Sequence, residues 1–548
     1  MKQILIRYSN FLILLVCVGI FFLTFDSKKL STNVLDLFPK VEQRDLIDIH
    51  LELEAQNQLL LYTKDSVKEL ESLPNVNSLV KLKDNIYMLF FSKNVSVEDF
   101  YNDFIKVVDK IPDIRYFSAD ILRVENSNAI FSDVNLIMIC SVIFLIILYV
   151  FILRIHFLSL NTIVTIISAN LLGISVITTF YDNVNIMSLN FGVAIGNLAI
   201  DYMLHHHFFR MYMHRFKFNK SVFYGFITTF IGFFICLFIP FPLLSQLSVY
   251  AMVCLLVSYI SFGFIYQIIG FKRPMFYKNI RKLRKPLIGN NLILILSVVF
   301  LLISIGNMNL DYNLEKLDYN NKKRIADQEF FKQELGDSKQ VLLKGNSKED
   351  LSTKAIEIAK VAQIKSDIRN LNIVEKNGVF YAKISLDSVD SIKNFDFVDV
   401  RSVKELSDEI TNGIYKPMLV VLSIVIIVMI VIVLLITRSL ISFSYTIAPL
   451  GIIFLYFLTT KVNIMHLFSL LIVVVSSIDY GIYVQKEGEN IRTLHAIIFS
   501  ALTTIAGFGF LSFSNILALK SFGLTISIGV ITILLLLLFQ KRSMQKGV

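Results

Sequence analysis

Two aspartates, Asp201 and Asp479, stand in the middle of long apolar runs and hold the same position in two copies of one repeat. An ionisable side chain in hydrocarbon is costly, so a chain that keeps two of them in register is bound to fold into a bundle shielding both from lipid. Aligning Val184–Leu204 with Val462–Ile482 at a constant offset of 278 gives eight identities in twenty-one residues without a gap. Apolar stretches match one another by chance, but the shared Asn-Ile-Met (Asn185, Asn463) and Asp-Tyr (Asp201-Tyr202, Asp479-Tyr480) do not.

Composition places the repeat in a membrane. The chain has 548 residues, of which 55% are hydrophobic and only 18% charged, and its mean hydropathy is +0.64. That is too apolar for an ordinary soluble protein. The net charge of +10 comes from lysines and arginines beside apolar runs, as topology signals are distributed, so nucleic acid is not an expected partner. Cys17, Cys140, Cys236 and Cys254 all lie inside apolar runs, without disulfide or metal spacing. They read as small core residues, and no cofactor is expected.

Runs of about 20 apolar residues occur near residues 9–25, 134–153, 158–180, 184–209, 221–241, 244–270, 291–308, 418–437, 439–460, 462–484, 494–514 and 517–539. The expected fold is therefore a polytopic α-helical membrane protein of 12 transmembrane helices. Polar stretches at 26–133 and 309–417 follow the first and seventh spans, 271–290 is a basic linker, and 541–548 is a tail. One helix, one domain and five helices thus occur twice, as two parallel repeats of six helices. With the N-terminus inside, twenty basic residues fall in inner segments and only Lys461 and Lys520 in short outer loops. That bias predicts both termini in the cytoplasm and both polar domains outside, and with no lipidation or eukaryotic sorting signal in the sequence a bacterial cytoplasmic membrane is the expected home.

In the first domain, periodicity predicts a strand over 58–63, a short helix over 66–73, a hairpin of 78–82 with 86–92, a helix over 97–110 and a strand over 114–117. The second gives 340–344, a helix over 348–361, a hairpin turning at Asn377-Gly378, a weak helix near 388–393 and a strand over 395–400. Both orders are similar to the small α+β, ferredoxin-like βαββαβ unit.

Over essentially its whole length the chain resembles the resistance-nodulation-division (RND) superfamily of proton-driven exporters, and within it the MMPL type. Ile200-Asp201-Tyr202 and Ile478-Asp479-Tyr480 are similar to that family's G-x-x-x-D-Y. Thr228-Thr229 to Phe233 and Thr503-Thr504 to Phe508 resemble its T-T-x-x-G-F, and Leu35–Pro39 its Leu-x-Leu-Phe-Pro. The glycine expected four residues before each aspartate is Asn197 and Val475 here, so close helix contact at those points is open, with Gly196 as a substitute one position earlier. The resemblance implies a proton antiporter that moves a lipid or hydrophobic compound out of the membrane, with membrane lipids, a lipidic substrate, a periplasmic carrier and a homo-oligomer as its expected partners.

Chemistry alone suits a proton relay. Asp201 lies nine residues before Arg210 and Asp479 seven before Lys486, which at about 1.5 Å per residue places each carboxyl roughly 10–14 Å from the inner surface, near the middle of a core about 30 Å thick. A carboxyl there costs little when neutral and much when ionised, so its proton occupancy is tied to access from either side. Each proton that crosses releases about 2.3 kcal/mol per 100 mV. Tyr202, Tyr480, His205, Thr228, Thr229, Thr503 and Thr504 are the candidate relay partners, His205 at i+4 from Asp201, and Ser476 is placed to serve Asp479. His206 and His207 diverge from His205 by about 100° per residue and read as interfacial bases.

Two other functions compete. Intramembrane aspartyl proteases also pair aspartates, but their Gly-x-Gly-Asp pattern is absent, and no enzyme activity is expected. A protein-translocation accessory similar to the SecD/SecF pair shares the superfamily plan and exports no small molecule.

Overall fold

The computed structural model describes residues 7–541 except 32–35, 37–38, 55–56, 66, 155, 214–215, 240, 278, 312–318, 320, 337–338, 363–371, 387–388 and 489. Most of the Leu35–Pro39 motif lies outside the described residues. Two compact units form: one from 1–39, 133–312 and 411–548, the other from 40–132 and 313–410.

The first unit is a helical bundle. Among the described residues nine helices are long and apolar enough to cross a membrane: α2 (Ala119–Val150), α3 (His156–Phe180), α4 (Ile186–Phe208), α6 (Pro242–Ile269), α8 (Val403–Thr437), α9 (Leu440–Phe457), α10 (Ile464–Glu487), α11 (Ile491–Phe513) and α12 (Leu517–Phe539). Three shorter apolar helices, α1 (Ser9–Thr24), α5 (Lys220–Cys236) and α7 (Asn290–Ile305), stand where the first, fifth and seventh spans are expected. The chain is a multi-pass membrane protein. α5 stops short because Pro240 and Pro242 follow in the sequence, and proline can neither donate to the helix ladder nor tolerate a helical neighbour before it.

Packing repeats with the sequence. α1 lies on α3 as α7 lies on α9, α3 on α6 as α9 on α12, and α5 on α6 as α11 on α12. The halves interlock at the centre, where α4 packs against α11 and α10 against α5. α10 is buried along nearly its whole length, so its all-round apolar sequence is covered by protein.

The repeated Asn-Ile-Met marks a helix start. Asn185 accepts from the backbone N–H of Met187, and Asn463 from those of Met465 and His466, which satisfies orphan donors at both N-termini. At each cap, a two-residue parallel bridge ties the chain that follows α1 or α7 to this point. Leu30-Ser31 pair with Val184-Asn185, and Asn309-Leu310 with Lys461-Val462.

The second unit holds two small sheets. β1 (Gln58–Tyr62), β2 (Val76–Lys83), β3 (Ile86–Phe91) and β4 (Arg115–Phe117) lie in the order β2-β3-β1-β4, and β5 (Lys339–Gly345), β6 (Ile373–Lys376), β7 (Val379–Leu386) and β8 (Val398–Asp399) in the order β6-β7-β5-β8. All neighbours are antiparallel. In the first sheet, helix Val97–Val108 buries Phe100 and Phe104 against Leu59, Leu61 and Leu89. In the second, helix Lys348–Val361 covers β5 with Leu351, Ala355 and Ile358 buried. The weak helix expected near 388–393 is a correction: residues 390–394 form turns, although Val389 and Ile392 enter the core. The Lys393 side chain donates to Asp390 at 3.0 Å across the turn, and so short a segment cannot repay helix nucleation.

Each domain also carries a helix that packs on the other. Glu42–Glu54, before the first sheet, packs on β6 and β7, while Lys322–Leu335, before the second, packs on β4. Lys376 reaches Asp45 and Asp48 at 3.3 and 3.5 Å. Arg324 donates to Glu125 at 2.8 Å and to Asp327 at 2.7 Å, and its guanidinium lies 3.4 Å from the Tyr116 ring centroid. Burial, followed by the hydrogen bond and charge of Glu125, pushes the Tyr116 hydroxyl far above the usual tyrosine range.

Candidate functional site

The crossed packing of α4 with α11 and of α10 with α5 creates the site. Asp201, on α4, is 4% exposed, and Asp479, on α10, is 6% exposed, so neither carboxyl faces lipid. Each is approached by residues of the opposite half. Thr228 and Thr229 of α5 donate to the two carboxyl oxygens of Asp479 at 3.0 and 2.8 Å. Tyr480, next to Asp479, donates to Asp201 Oδ2 at 3.2 Å, and its hydroxyl also meets Ser500 at 3.0 Å and Thr504 at 3.5 Å. A chain of hydroxyls from α11 thus reaches Asp201 through a residue of α10.

The two halves are unequal. Asp479 binds its threonines directly, whereas Thr503 and Thr504 donate to the backbone carbonyl of Ser500 at 2.7 and 3.1 Å. Tyr202 packs edge-on between Phe226 and Tyr259 at 6.2 and 6.1 Å. Ser476, expected beside Asp479, instead donates back to Ile472 O at 2.8 Å and Val473 O at 3.3 Å, the usual fate of a serine inside a helix.

The missing family glycines have a structural answer. A β-carbon at Gly232 would stand 2.5 Å from Val475, and one at Gly507 3.2 Å from the Asn197 amide. The glycine of each Thr-Thr motif therefore faces the residue that stands four positions before the other half's aspartate. Small residues let membrane helices approach closely, and here the small partner sits on the neighbouring helix. Gly196, the expected substitute, lies instead against Asn170 of α3, 2.8 Å from where its own β-carbon would be.

Toward the end of α10 lies a pair that the sequence did not disclose. His205 Nδ1 is 3.0 and 2.9 Å from the two carboxyl oxygens of Glu487, and the side chains are 0% and 4% exposed. The His205 ring stacks on Tyr483 at 3.7 Å. A β-carbon at Gly225 would stand 2.7 Å from the Tyr483 hydroxyl, so glycine makes room for it. Among the described residues Asp201 Oδ1, His205 Nε2 and the Tyr483 hydroxyl are buried without a hydrogen-bond partner. Buried groups of that kind call for an explanation.

His206 and His207 correct the expectation of interfacial bases, since they are 2% and 1% exposed. His206 Nδ1 lies 2.7 Å from Tyr202 O, and His207 stacks edge-on against Phe208. Among the described residues no group of three His, Cys, Asp or Glu side chains is placed to hold a metal ion.

No protein-family model and no curated protein matches the chain. Two solved structures are similar along nearly its whole length. SecDF in its super-membrane-facing form has a TM-score of 0.49 and 10% identity over 98% of this chain and 97% of that one. SecDF from Thermus thermophilus, described as a translocon-associated membrane protein, has a TM-score of 0.49 and 11% identity over 98% of each chain. Similarity at this level leaves function to the residues themselves.

Proposed function

We propose that this chain is a proton-driven machine of RND type in the cytoplasmic membrane, with 12 spans, both termini inside and two ferredoxin-like external domains. Asp201 and Asp479 carry the proton. The observation that supports this reading is the pair of buried carboxyls, each contacted from the opposite half. Protonation of Asp479 changes what Thr228 and Thr229 donate to, and protonation of Asp201 changes what Tyr480 donates to. Either event alters the contact between α4–α11 and α10–α5, and a proton falling through the membrane potential supplies a few kcal/mol to that change.

Work on a secreted polypeptide, as a SecDF-like translocation accessory, is the use of this motion that the interlocked external helices favour, because displacement of one domain is passed to the other. Export of a lipid or hydrophobic compound is the second reading, favoured by an apolar cavity in the bundle. In a deletion strain the first predicts slowed secretion of many proteins, and the second predicts retention of one compound in the membrane. Strains with Asp201→Asn or Asp479→Asn should match the deletion in whichever defect appears. Normal behaviour of both would reject proton coupling.

A further inference from the structure

The bundle contains a cavity of about 260 Å³ enclosed by α2, α3, α4 and α11. It runs from Val134 to Tyr149 along α2, about 22 Å at 1.5 Å per residue. Its rim is apolar and open, with Val142, Ile146 and Ile167 at 53%, 40% and 44% exposure on helices long enough to cross a membrane. Acyl chains are therefore the medium outside it. Its interior is not uniformly apolar. Asn190 and Asn197 of α4 line it, and so does Tyr149, which is 2% exposed and whose hydroxyl has no hydrogen-bond partner. A buried hydroxyl left unpaired is costly, and a ligand that pairs it removes that cost.

We propose that this cavity binds a single-chain amphiphile, with the acyl chain along α2 and a hydrogen-bonding head at Tyr149. Size and chemistry agree. The volume exceeds the roughly 150 Å³ that admits a benzene-sized guest and falls just below the roughly 300–1,000 Å³ of drug-sized sites, so it takes one chain and excludes two-chain lipids. Tyr149 stands five residues before Arg154, so in the orientation expected from the basic residues the head lies toward the inner leaflet. Asn197 and Ile200 line the same cavity within four residues of Asp201, so an occupant touches the helix that carries the acid. The site does not depend on the proton reading.

Photolabelling of the full chain in lipid nanodiscs with a diazirine-bearing palmitate tests it. Labelling is expected within 134–149, 162–170 and 190–200, saturable and competed by unlabelled palmitate. Ala194→Trp, which fills the cavity, should lower that labelling at least tenfold while the lipid-facing side of α7 keeps its label; Val193→Phe serves if the first variant does not accumulate. Tyr149→Phe should weaken palmitate competition about fivefold, the loss of one hydrogen bond. Competition by palmitate alone assigns a free carboxyl head, and competition by a lysophospholipid assigns a lipid headgroup. Labelling that does not saturate, spreads evenly over exposed helices or ignores both filling variants overturns the site. Asp479→Asn, whose carboxyl is held by Thr228 and Thr229 away from the cavity lining, should label normally, so a failure of proton coupling remains distinguishable.

Discussion

A single hydroxyl decides how one oxygen of Asp479 is held. Thr229→Ala leaves a buried carboxyl oxygen without its 2.8 Å donor, and a buried acceptor left unpaired costs about 1–3 kcal/mol. Proton uptake by reconstituted vesicles is expected to slow by about tenfold or more, whereas Thr503→Ala, which breaks only a bond to its own helix, should leave the rate nearly unchanged. Glu487→Gln tests the second pair. It removes the carboxyl that faces His205 at 2.9 Å, and proton uptake should fall while the protein still accumulates. Asp201 and Asp479 were legible because ionisable residues are rare in apolar runs. Glu487 was not, because Lys486-Glu487-Gly488-Glu489 reads as the charged exit of a span; only tertiary packing buries its side chain. Ser476 misled for the opposite reason, since helical spacing allowed a contact that its own backbone won.

Helix approach is set at Gly232 and Gly507. Gly232→Leu would drive a branched side chain into Val475, already 2.5 Å from the β-carbon position, and separate α5 from α10. Proton uptake should be lost with that variant, and Val475→Gly on the same chain should restore part of it, since the space is shared. Loss without any rescue would place the defect in folding. The repeated T-T-x-x-G-F was visible in the sequence, but its partner was not. Periodicity tells which residues share a face of one helix and nothing about which helix lies opposite, so the crossed pairing of the halves had to come from packing. In the second unit the strands were largely legible from alternation and turn residues, whereas the exchange of helices Glu42–Glu54 and Lys322–Leu335 left no local signal. Breaking a buried pair by removing one partner costs about 3–5 kcal/mol. Arg324→Ala, which strands Glu125 and Asp327, should therefore raise hydrogen exchange in Lys322–Leu335 and in β4 together.

Taken as a whole, the molecule carries an acid-sensitive pair outside its apolar helices, Asp399 with Arg401. Burial pushes the Asp399 carboxyl up, but the Arg401 side chain at 2.7 Å, its backbone N–H at 3.0 Å and its charge outweigh that and hold Asp399 below the ordinary carboxylate range. A lowered folded value means that this contribution to stability is present above the unfolded value, about 3.9, and is lost as pH falls through the folded one. β8 is expected to become open to pepsin on acidification through that range, and Asp399→Asn should open it at higher pH and flatten the dependence. The central claim concerns the membrane acids, and infrared difference spectroscopy of the carboxyl stretch across a pH titration reads them directly. Among the buried carboxyl bands of the wild type, one should be missing in Asp201→Asn and a different one in Asp479→Asn; identical spectra for all three chains would contradict proton exchange at these residues.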